Sequence, residues 1–292
     1  MEMITCRNLT HYYGKRLIYE NLSFDVPKGR ILGLLGKNGT GKTTTINILS
    51  GFLKPYAGEC RIFGEEVQSM KPTTRREIGM LMEGHVQYTF MKIEQIERFY
   101  AAFYPKWNRE VYYELMKKLQ VAPHQRISRM SCGQRSQVAL GLILAQNPEL
   151  LILDDFSLGL DPGYRRLFVD YLRDFAKSEN KTVFLTSHII QDMERLIDDC
   201  IIMDYGRILT QQPVNELLGK YYHYTFSLTA ECTLDMQQLI HPSVIRNRVE
   251  AGSFLPPEEM RSLLEAHAVP FVDLQGNHVS LEDVFIGLTG KY

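Results

Sequence analysis

Residues 36–44 read Gly-Lys-Asn-Gly-Thr-Gly-Lys-Thr-Thr, and this glycine-rich segment constrains the chain more than any other. It fits the spacing G-x-x-x-x-G-K-T, in which glycines let successive backbone N–H groups point at phosphate oxygens. In this motif the lysine ammonium interacts with the β- and γ-phosphates, and the hydroxyl of the next residue coordinates Mg²⁺. The candidate ligands for ATP and Mg²⁺ are Gly36, Asn38, Gly39, Thr40, Gly41, Lys42, Thr43 and Thr44, with Thr43 for the metal.

The flanking residues support this interpretation over an ordinary glycine-rich turn. The apolar run 30–35 precedes the loop, and residues 44–50 follow with helical spacing. A strand, loop and helix in this order turn the N-terminus of the helix toward a bound anion.

Composition narrows the class of protein. The 292 residues suffice for a large core or two unequal domains, and the net charge of −1 argues against a nucleic-acid partner. The five cysteines are scattered without a C-x-x-C, which suits a reducing cytosol. The N-terminus does not resemble a secretory signal, and the longest apolar run, 138–145, is too short to cross a bilayer. Any membrane association is therefore expected to come through a partner.

Alternating elements predict an α/β fold. Strands are expected over 2–10 and 20–27 from their period-two pattern. The later segments alternate as strand 150–154, helix 162–178, strand 182–187, helix 189–198 and strand 200–204. This order implies a parallel sheet covered by helices, preceded by an antiparallel N-terminal part.

Two other regions depart from the alternation. A helical insert is predicted near 85–148, interrupted at 105–108, and its aromatic residues Phe99, Tyr100 and Phe103 are expected in the core. After Pro213 the pattern weakens, so residues 1–216 are interpreted as the nucleotide-binding domain and 217–292 as an appended α+β unit. The appendage shows no recognisable chemistry and is expected to be a structural cap or an extra dimer contact.

Two carboxylates follow the apolar strand 150–153. Asp154 ends a strand that is buried on both faces, at the edge where parallel sheets bind ligands. It is therefore a candidate Mg²⁺ ligand, and Asp155 is a candidate for polarising the attacking water. Solvated charges at a strand end are the alternative.

A strongly apolar helix follows Ser131, which is predicted to be its N-cap or first-turn residue. A helix that starts with small residues, here Ser131, Cys132 and Gly133, offers a second anion-binding end. By itself this pattern is also that of a capped core helix.

In this order, the motifs resemble those of the ABC-type ATPases over nearly the whole chain. They are the phosphate loop, the helical insert, Ser131-Cys132-Gly133-Gln134, the strand with Asp154, Gly159-Leu160-Asp161, and Thr186-Ser187-His188. The closing segment 281–285 resembles the bacterial subfamily in which ATPase and permease are separate chains, often linked to drug or small-molecule efflux.

The resemblance implies roles for single residues. Tyr13 would stack on adenine, and His188 would contact the γ-phosphate. Asp155 would occupy the position of the catalytic base, and Asp161 would lie at the interface of a dimer. Residues of the helix start, Ser131, Gly133 and Gln134, would bind the nucleotide held by a second ATP-binding subunit.

Three motifs depart from the family pattern, at four positions. The usual Glu after the strand Asp is Asp155, followed by Phe156 in place of Pro. The usual Gln of the loop that contacts metal and permease is Glu83, and the first Gly of S-G-G-Q is Cys132. Asp155 is one methylene shorter than Glu, which retracts the base by roughly 1 Å and can cost on the order of 100-fold in rate.

The sequence therefore predicts a cytoplasmic ATP-binding and hydrolysing subunit, peripheral on the inner face of the cell membrane. It would couple ATP-driven dimer closure to separate transmembrane permease subunits, for export, with a heterodimer preferred over a homodimer. The alternative is a nucleotide-sensing regulatory module that hydrolyses slowly or not at all. A translation or repair ATPase is disfavoured because the chain has neither two cassettes nor a coiled-coil insert. A GTPase is disfavoured because N-K-x-D is absent.

Overall fold

The computed structural model describes residues 2–82, 88–156 and 160–290. The chain forms two compact units, Met1–Ile208 and Leu209–Tyr292. The unit boundary falls inside the strand Arg207–Pro213. A boundary after residue 216 stays a prediction about domain organisation.

The strands of the described residues are β1 Glu2–Tyr13, β2 Arg16–Pro27, β3 Ile31–Gly36, β4 Ala57–Ile62, β5 Glu65–Glu66, β6 Ile78–Leu81, β7 Leu150–Leu153, β8 Thr182–Thr186, β9 Asp199–Asp204, β10 Arg207–Pro213, β11 Tyr222–Leu228, β12 Ile240–Ile245, β13 Arg248–Ser253 and β14 Phe271–Asn277. The α-helices are α1 Lys42–Leu49, α2 Pro72–Arg75, α3 Ile93–Ala101, α4 Arg109–Lys118, α5 Cys132–Ala145, α6 Pro162–Ser178, α7 Ile190–Leu196, α8 Val214–Lys220, α9 Pro257–Ala266 and α10 Leu281–Thr289.

The first unit contains an antiparallel and a largely parallel sheet, which confirms the α/β prediction. The N-terminal sheet has the strand order β2-β1-β4-β5, and β1 pairs antiparallel with both β2 and β4. The second sheet has the order β10-β9-β3-β8-β7-β6, with parallel pairing from β9 through β6. Its central strands β7 and β8 are buried throughout. On one face, Ile152 and Phe184 pack in a common core with Phe24 of the N-terminal sheet and Ile48 of α1.

The order β3-β8-β7 brings three strand ends to one edge of the sheet. Leu34 lies opposite Thr186, and Leu153 lies opposite Leu185. Consequently the phosphate loop after β3, the two aspartates after β7 and the end of β8 meet at the same edge, as expected for ligand sites of parallel sheets.

The helical insert contains α3, α4 and α5, with the predicted interruption between α3 and α4. Asn108 ends the interruption as N-cap of α4, because its side-chain oxygen accepts from the N–H groups of Glu110 and Val111.

The expectation that the insert's aromatic side chains belong to the core is wrong for two of them. Ile93 and Ile96 of α3 are fully buried, but Phe99 is 38% exposed and Phe103, just beyond the helix, 57% exposed. Periodicity identifies the apolar side of a helix, but it does not say how far neighbouring elements cover that side.

The C-terminal unit is built on an antiparallel sheet of order β12-β13-β11-β14. One face carries Tyr224 and Phe226 of β11 with Val249 of β13, and these pack with Met260 and Leu264 of α9. The same unit holds α8 and α10, and α10 packs on β12 and β13. Of its strands, periodicity alone predicted only β11.

Candidate functional site

The phosphate loop has the backbone conformation that its glycines predict. Gly39 and Gly41 have φ angles of +80° and +103°, which L-residues with a side chain rarely adopt. Gly41 directly precedes α1, so the free N–H groups of the helix start point into the loop. Thr40 and Gly36 shape this loop rather than line its pocket, since Thr40 Oγ1 donates to the Lys37 carbonyl at 2.9 Å.

Lys42 lies at the centre of the loop and is buried. Its Nζ donates to the carbonyl oxygens of Gly36 at 2.7 Å and Lys37 at 3.0 Å. Burial lowers the pKa of Lys42, while the charges of Asp155 and Asp154 oppose that shift. The ammonium is therefore held by weak neutral acceptors within the field of two carboxylates, which suits a group that meets phosphate oxygens.

A pocket of about 300 Å³ lies in front of this loop. Most of the sequence-predicted residues line it together: Tyr13, Asn38, Gly39, Gly41, Lys42, Thr43, Thr44, Asp154, Asp155 and His188. The loop, the β7 end and the β8 end therefore form one site.

Asp154 has the surroundings of a metal ligand. Its Oδ1 accepts from the Thr186 hydroxyl at 2.7 Å, while Oδ2 is buried with no hydrogen-bond partner in the described part of the chain. Burial raises the pKa of Asp154, and the Thr186 hydroxyl opposes the rise. A buried carboxylate oxygen without a donor, lining the same pocket as the Thr43 hydroxyl, fits the oxygen ligands that Mg²⁺ prefers.

Asp155 is held against the segment after β8. Its N–H donates to Thr186 Oγ1 at 3.0 Å, and its Oδ1 accepts from the His188 N–H at 3.3 Å. His188 Nε2 lies 3.1 Å from Oδ2. Asp155 also has a left-handed φ of +42°, an unfavourable conformation that such contacts help to maintain. The carboxylate is thus engaged by His188 instead of projecting freely into the pocket.

Tyr13 lies at the end of β1 and is 49% exposed, so one side of its ring is open to the pocket. Its hydroxyl is 3.5 Å from Thr44 Oγ1, and the buried His11 meets its ring edge-on, with centroids 5.0 Å apart. These contacts hold the ring on two sides, and its stacking on a nucleotide base stays a prediction.

Four residues that line the pocket had no role assigned from the sequence: Arg16, Ile18, Thr186 and Ser187. Arg16 adds a second cation to the wall. The motifs contain no signal for Arg16 or Ile18, because both reach the site by the pairing of β2 with β1. Thr186 and Ser187 belong to the motif that contains His188, and their position as polar residues at the end of a buried strand could have indicated a role.

The Ser131 segment lies outside this pocket. Ser131 caps α5, since its Oγ accepts from the Gln134 N–H at 3.2 Å while Gln134 Oε1 accepts from the Ser131 N–H at 3.1 Å. Gly133 is buried, and a Cβ there would come within 2.6 Å of the Tyr164 ring. Ser131, Gly133 and Gln134 therefore form a capped helix start that this chain's own site does not use.

Two further predicted features lie partly or wholly beyond the described residues. Glu83, a candidate for metal binding and catalysis, falls in 83–87, and Gly159 falls in 157–159. Asp161 is described and is the N-cap residue of α6.

Comparisons with known proteins identify the family of the chain. A family model described as ABC transporter matches residues 19–157. Nod factor export ATP-binding protein I of Rhizobium sp. (strain N33) is 30% identical over 289 residues, covering 96% of this chain and 94% of that protein. Bacitracin transport ATP-binding protein BcrA of Bacillus licheniformis is 29% identical over 298 residues, covering 99% and 97%. The solved structure of an ATP-binding subunit of an ABC transporter has a TM-score of 0.65 at 25% identity, covering 74% of this chain and 91% of the other.

The chain belongs to the family of ABC transporter ATP-binding proteins. The resemblance inferred from its motif order and the P-loop fold class are both confirmed. Within the described residues, no helix is long and apolar enough to span a membrane.

Proposed function

We propose that this ATP-binding subunit hydrolyses ATP in a closed dimer and drives export through separate transmembrane permease subunits. The observation that carries the proposal is the convergence of Lys42, Thr43, Asp154, Asp155 and His188 on one pocket of about 300 Å³. Export is the activity in the name of the Nod factor relative, which matches this chain over 96% of its length. On this proposal the subunit is cytoplasmic and reaches the inner face of the membrane only through the permease.

Each residue of the pocket has a distinct task. The Lys42 ammonium and the loop N–H groups bind phosphate oxygens, and the Tyr13 ring supports the base. The Thr43 hydroxyl and Asp154 Oδ2 would hold Mg²⁺, which when bound neutralises charge on the β- and γ-phosphates. Asp155 is the candidate acceptor for the proton of the attacking water, and His188 the candidate donor to the γ-phosphate.

Slow hydrolysis by the isolated chain is part of the proposal. Asp155 is shorter than the usual Glu, and it contacts His188 through both carboxylate oxygens. A base that is retracted by roughly 1 Å loses on the order of 100-fold in rate, whereas ATP binding depends on other residues. A heterodimer with a second subunit that carries Glu would restore one fast site.

The proposed dimer is supported by the distance in the fold between two sets of motif residues. The phosphate-loop set lines the pocket, and the Ser131–Gln134 segment lies outside it. Ser131 and Gly133 are absent from the pocket wall that the described residues form, yet they lie at the N-terminal end of α5, the end of a helix that attracts anions. In the proposed dimer, the helix start of a second subunit closes over the nucleotide.

The permease surface is proposed on the helical insert. Four aromatic side chains there form an exposed cluster by edge-on ring contacts: Tyr88, Phe90, Phe99 and Phe103. A contiguous exposed apolar patch of this kind indicates a binding surface.

Changing Phe99 to Ser should release the protein from membranes of the native host, whereas the same change at the exposed Phe52 should not. Equal membrane recovery of both variants would count against this surface.

Steady-state hydrolysis by the purified chain tests the proposal. We expect slow turnover that rises in the Asp155→Glu variant, with ATP affinity nearly unchanged. Brisk turnover by the native chain, equal to that of the variant, would contradict the assignment of Asp155.

The Asp155–His188 contact also favours a second candidate, a nucleotide-sensing module without sustained turnover. Reconstitution with the permease distinguishes the two. Transport that stops when Lys42 is changed to Ala in this subunit, and increases with Asp155→Glu, supports hydrolysis. Unchanged transport in Asp155→Glu supports sensing.

A further inference from the structure

Arg16 is a second cation on the wall of the nucleotide pocket, and it reaches the pocket through a hairpin. It is the first residue of β2 and lies directly opposite Tyr13, the last residue of β1. Gly14, with a φ of +60°, and Lys15 form the two-residue turn between them. Directly opposed residues project from the same face of a sheet, so the tight turn holds Arg16 beside Tyr13 on the pocket side.

The guanidinium of Arg16 lies against the phosphate loop. A Cβ placed on Gly39 would be 3.3 Å from Nη2 of Arg16. Gly39 belongs to the loop whose backbone N–H groups are directed at phosphate oxygens, and it lines the same pocket. The guanidinium is therefore close to the part of the pocket that receives phosphate groups.

The Arg16 side chain has donors available for a ligand. Arg16 is exposed, and its guanidinium forms neither an ion pair nor a hydrogen bond within residues 2–82, 88–156 and 160–290. Arg7 of β1, in contrast, contacts Asp25 at 2.8 Å. Arg30, just before β3, contacts Asp199 at 2.6 Å. A guanidinium carries five N–H donors, so Arg16 brings unused donors to the pocket.

The charges of the pocket wall also favour an anionic ligand at Arg16. Asp154 and Asp155 contribute two carboxylates, and Lys42 contributes one ammonium group. These charged side chains balance only when Arg16 is counted, and without it the wall would carry a net negative charge that disfavours phosphate. Arginine suits phosphate because its planar fork donates two parallel hydrogen bonds to neighbouring oxygens.

We propose that Arg16 binds the triphosphate of ATP through its guanidinium, as a second cationic ligand in addition to Lys42. The loop N–H groups and Lys42 hold the phosphate chain from within the loop, and Arg16 contacts it from the β1–β2 turn. The inference rests on the proposed function in one respect, that ATP occupies this pocket. It gives the N-terminal antiparallel sheet a part in binding phosphate.

Calorimetric titration of the full chain with ATP and with tripolyphosphate, both with Mg²⁺, tests the proposal. Tripolyphosphate has the phosphate chain without the base, so it measures the phosphate contacts alone. Arg16→Gln should weaken the binding of both compounds by about tenfold or more, because hydrogen bonds between charged groups are lost. Arg16→Lys keeps the charge but not the planar fork and should weaken binding by a smaller factor.

Lys15→Gln is the matched control. Lys15 is the neighbouring exposed cation, and the pocket wall formed by the described residues does not include it. At about 0.15 M salt, charges more than about 8 Å apart are largely screened, so this variant should keep both affinities nearly unchanged. Equal losses in Lys15→Gln and Arg16→Gln would indicate a general effect of charge and would overturn the proposed contact. Weaker binding of ATP alone, with tripolyphosphate unaffected, would assign Arg16 to the base and would also overturn it.

Lys42→Ala separates the role of Arg16 from the proposed function. If Lys42→Ala loses binding of both compounds while Arg16→Gln keeps it, the ATP site stands and the role of Arg16 is refuted. A native chain that binds neither compound would contradict the ATP pocket itself, and the role of Arg16 with it. A denaturant titration checks that Arg16→Gln is as stable as the native chain, and Arg16→Lys provides the second measurement if it is not.

Discussion

The nucleotide pocket and a cavity of about 410 Å³ in the C-terminal unit are built in opposite ways. The pocket collects backbone N–H groups and short polar side chains at the ends of parallel strands, around Lys42 and Asp154. The cavity collects side chains from a face of an antiparallel sheet and from a helix, around Tyr221 and Glu250. The pocket is therefore centred on one continuous segment, the phosphate loop, whereas the cavity is formed only by the packing of segments that are distant in the sequence.

The difference teaches which sites a sequence reveals. A phosphate loop needs glycines at set spacings, so a segment of nine residues is enough to recognise it. The cavity needs Gly252 and Gly287 on opposite sides of one tyrosine hydroxyl, a requirement that leaves no local pattern. A motif search therefore finds the nucleotide pocket and misses the cavity of the C-terminal unit.

The largest expected effect is on the nucleotide pocket. Lys42→Ala should reduce ATP hydrolysis by about 100- to 1,000-fold, the usual loss when one preorganised donor to developing charge is removed. Lys37→Ala, in the same loop but outside the pocket wall, is the matched control. Nucleotide-dependent dimerisation, followed by light scattering, should also be lost. A dimer that still forms with ATP in Lys42→Ala would argue against the whole site.

The next effect concerns Asp155. Asp155→Glu should raise steady-state hydrolysis by up to about 100-fold, since the longer side chain moves the carboxylate forward by roughly 1 Å. The Michaelis constant should change little because Lys42 and Thr43 are unaltered. Measuring kcat and KM separately checks this split. A change in KM alone would assign Asp155 to binding instead of catalysis.

A smaller effect is expected in the C-terminal unit from Gly287→Ala. The new Cβ would come within 1.9 Å of the Tyr221 hydroxyl, so the variant should lose about 1–3 kcal/mol of unfolding free energy. Gly219→Ala in α8 is the matched helical control, because a Cβ there has open space. The control should gain up to about 1 kcal/mol from helix propensity. Denaturant titrations of both variants give the comparison, and equal stabilities would show that Tyr221 does not fill this space.

The smallest effect should come from Tyr221→Phe, because the Tyr221 hydroxyl is buried with no hydrogen-bond partner among the described residues. Removing an unpaired buried hydroxyl leaves the unfolding free energy unchanged or raises it by up to about 1 kcal/mol. A loss of more than about 1 kcal/mol in the same denaturant titration would mean that the hydroxyl is hydrogen-bonded in the folded protein.

Much of the fold and of the nucleotide site could be predicted from the sequence. The helix 162–178 and the strand before Asp154 follow from their own periodicity, and their order implies the parallel sheet. That sheet in turn brings Asp154 and His188 to the phosphate loop. Glu83 could be predicted as a candidate but lies outside the described residues.

What the sequence determined by itself is chemistry that short segments carry, as in the phosphate loop and the capping of α5 by Ser131. The tertiary structure decided the exposure of Phe99 and Phe103, the contact between Asp155 and His188, and the placement of Arg16 and Tyr221. The physical reason is the range of the interactions. Turn geometry and helix capping act over a few residues, whereas burial and side-chain contacts depend on which distant elements pack together.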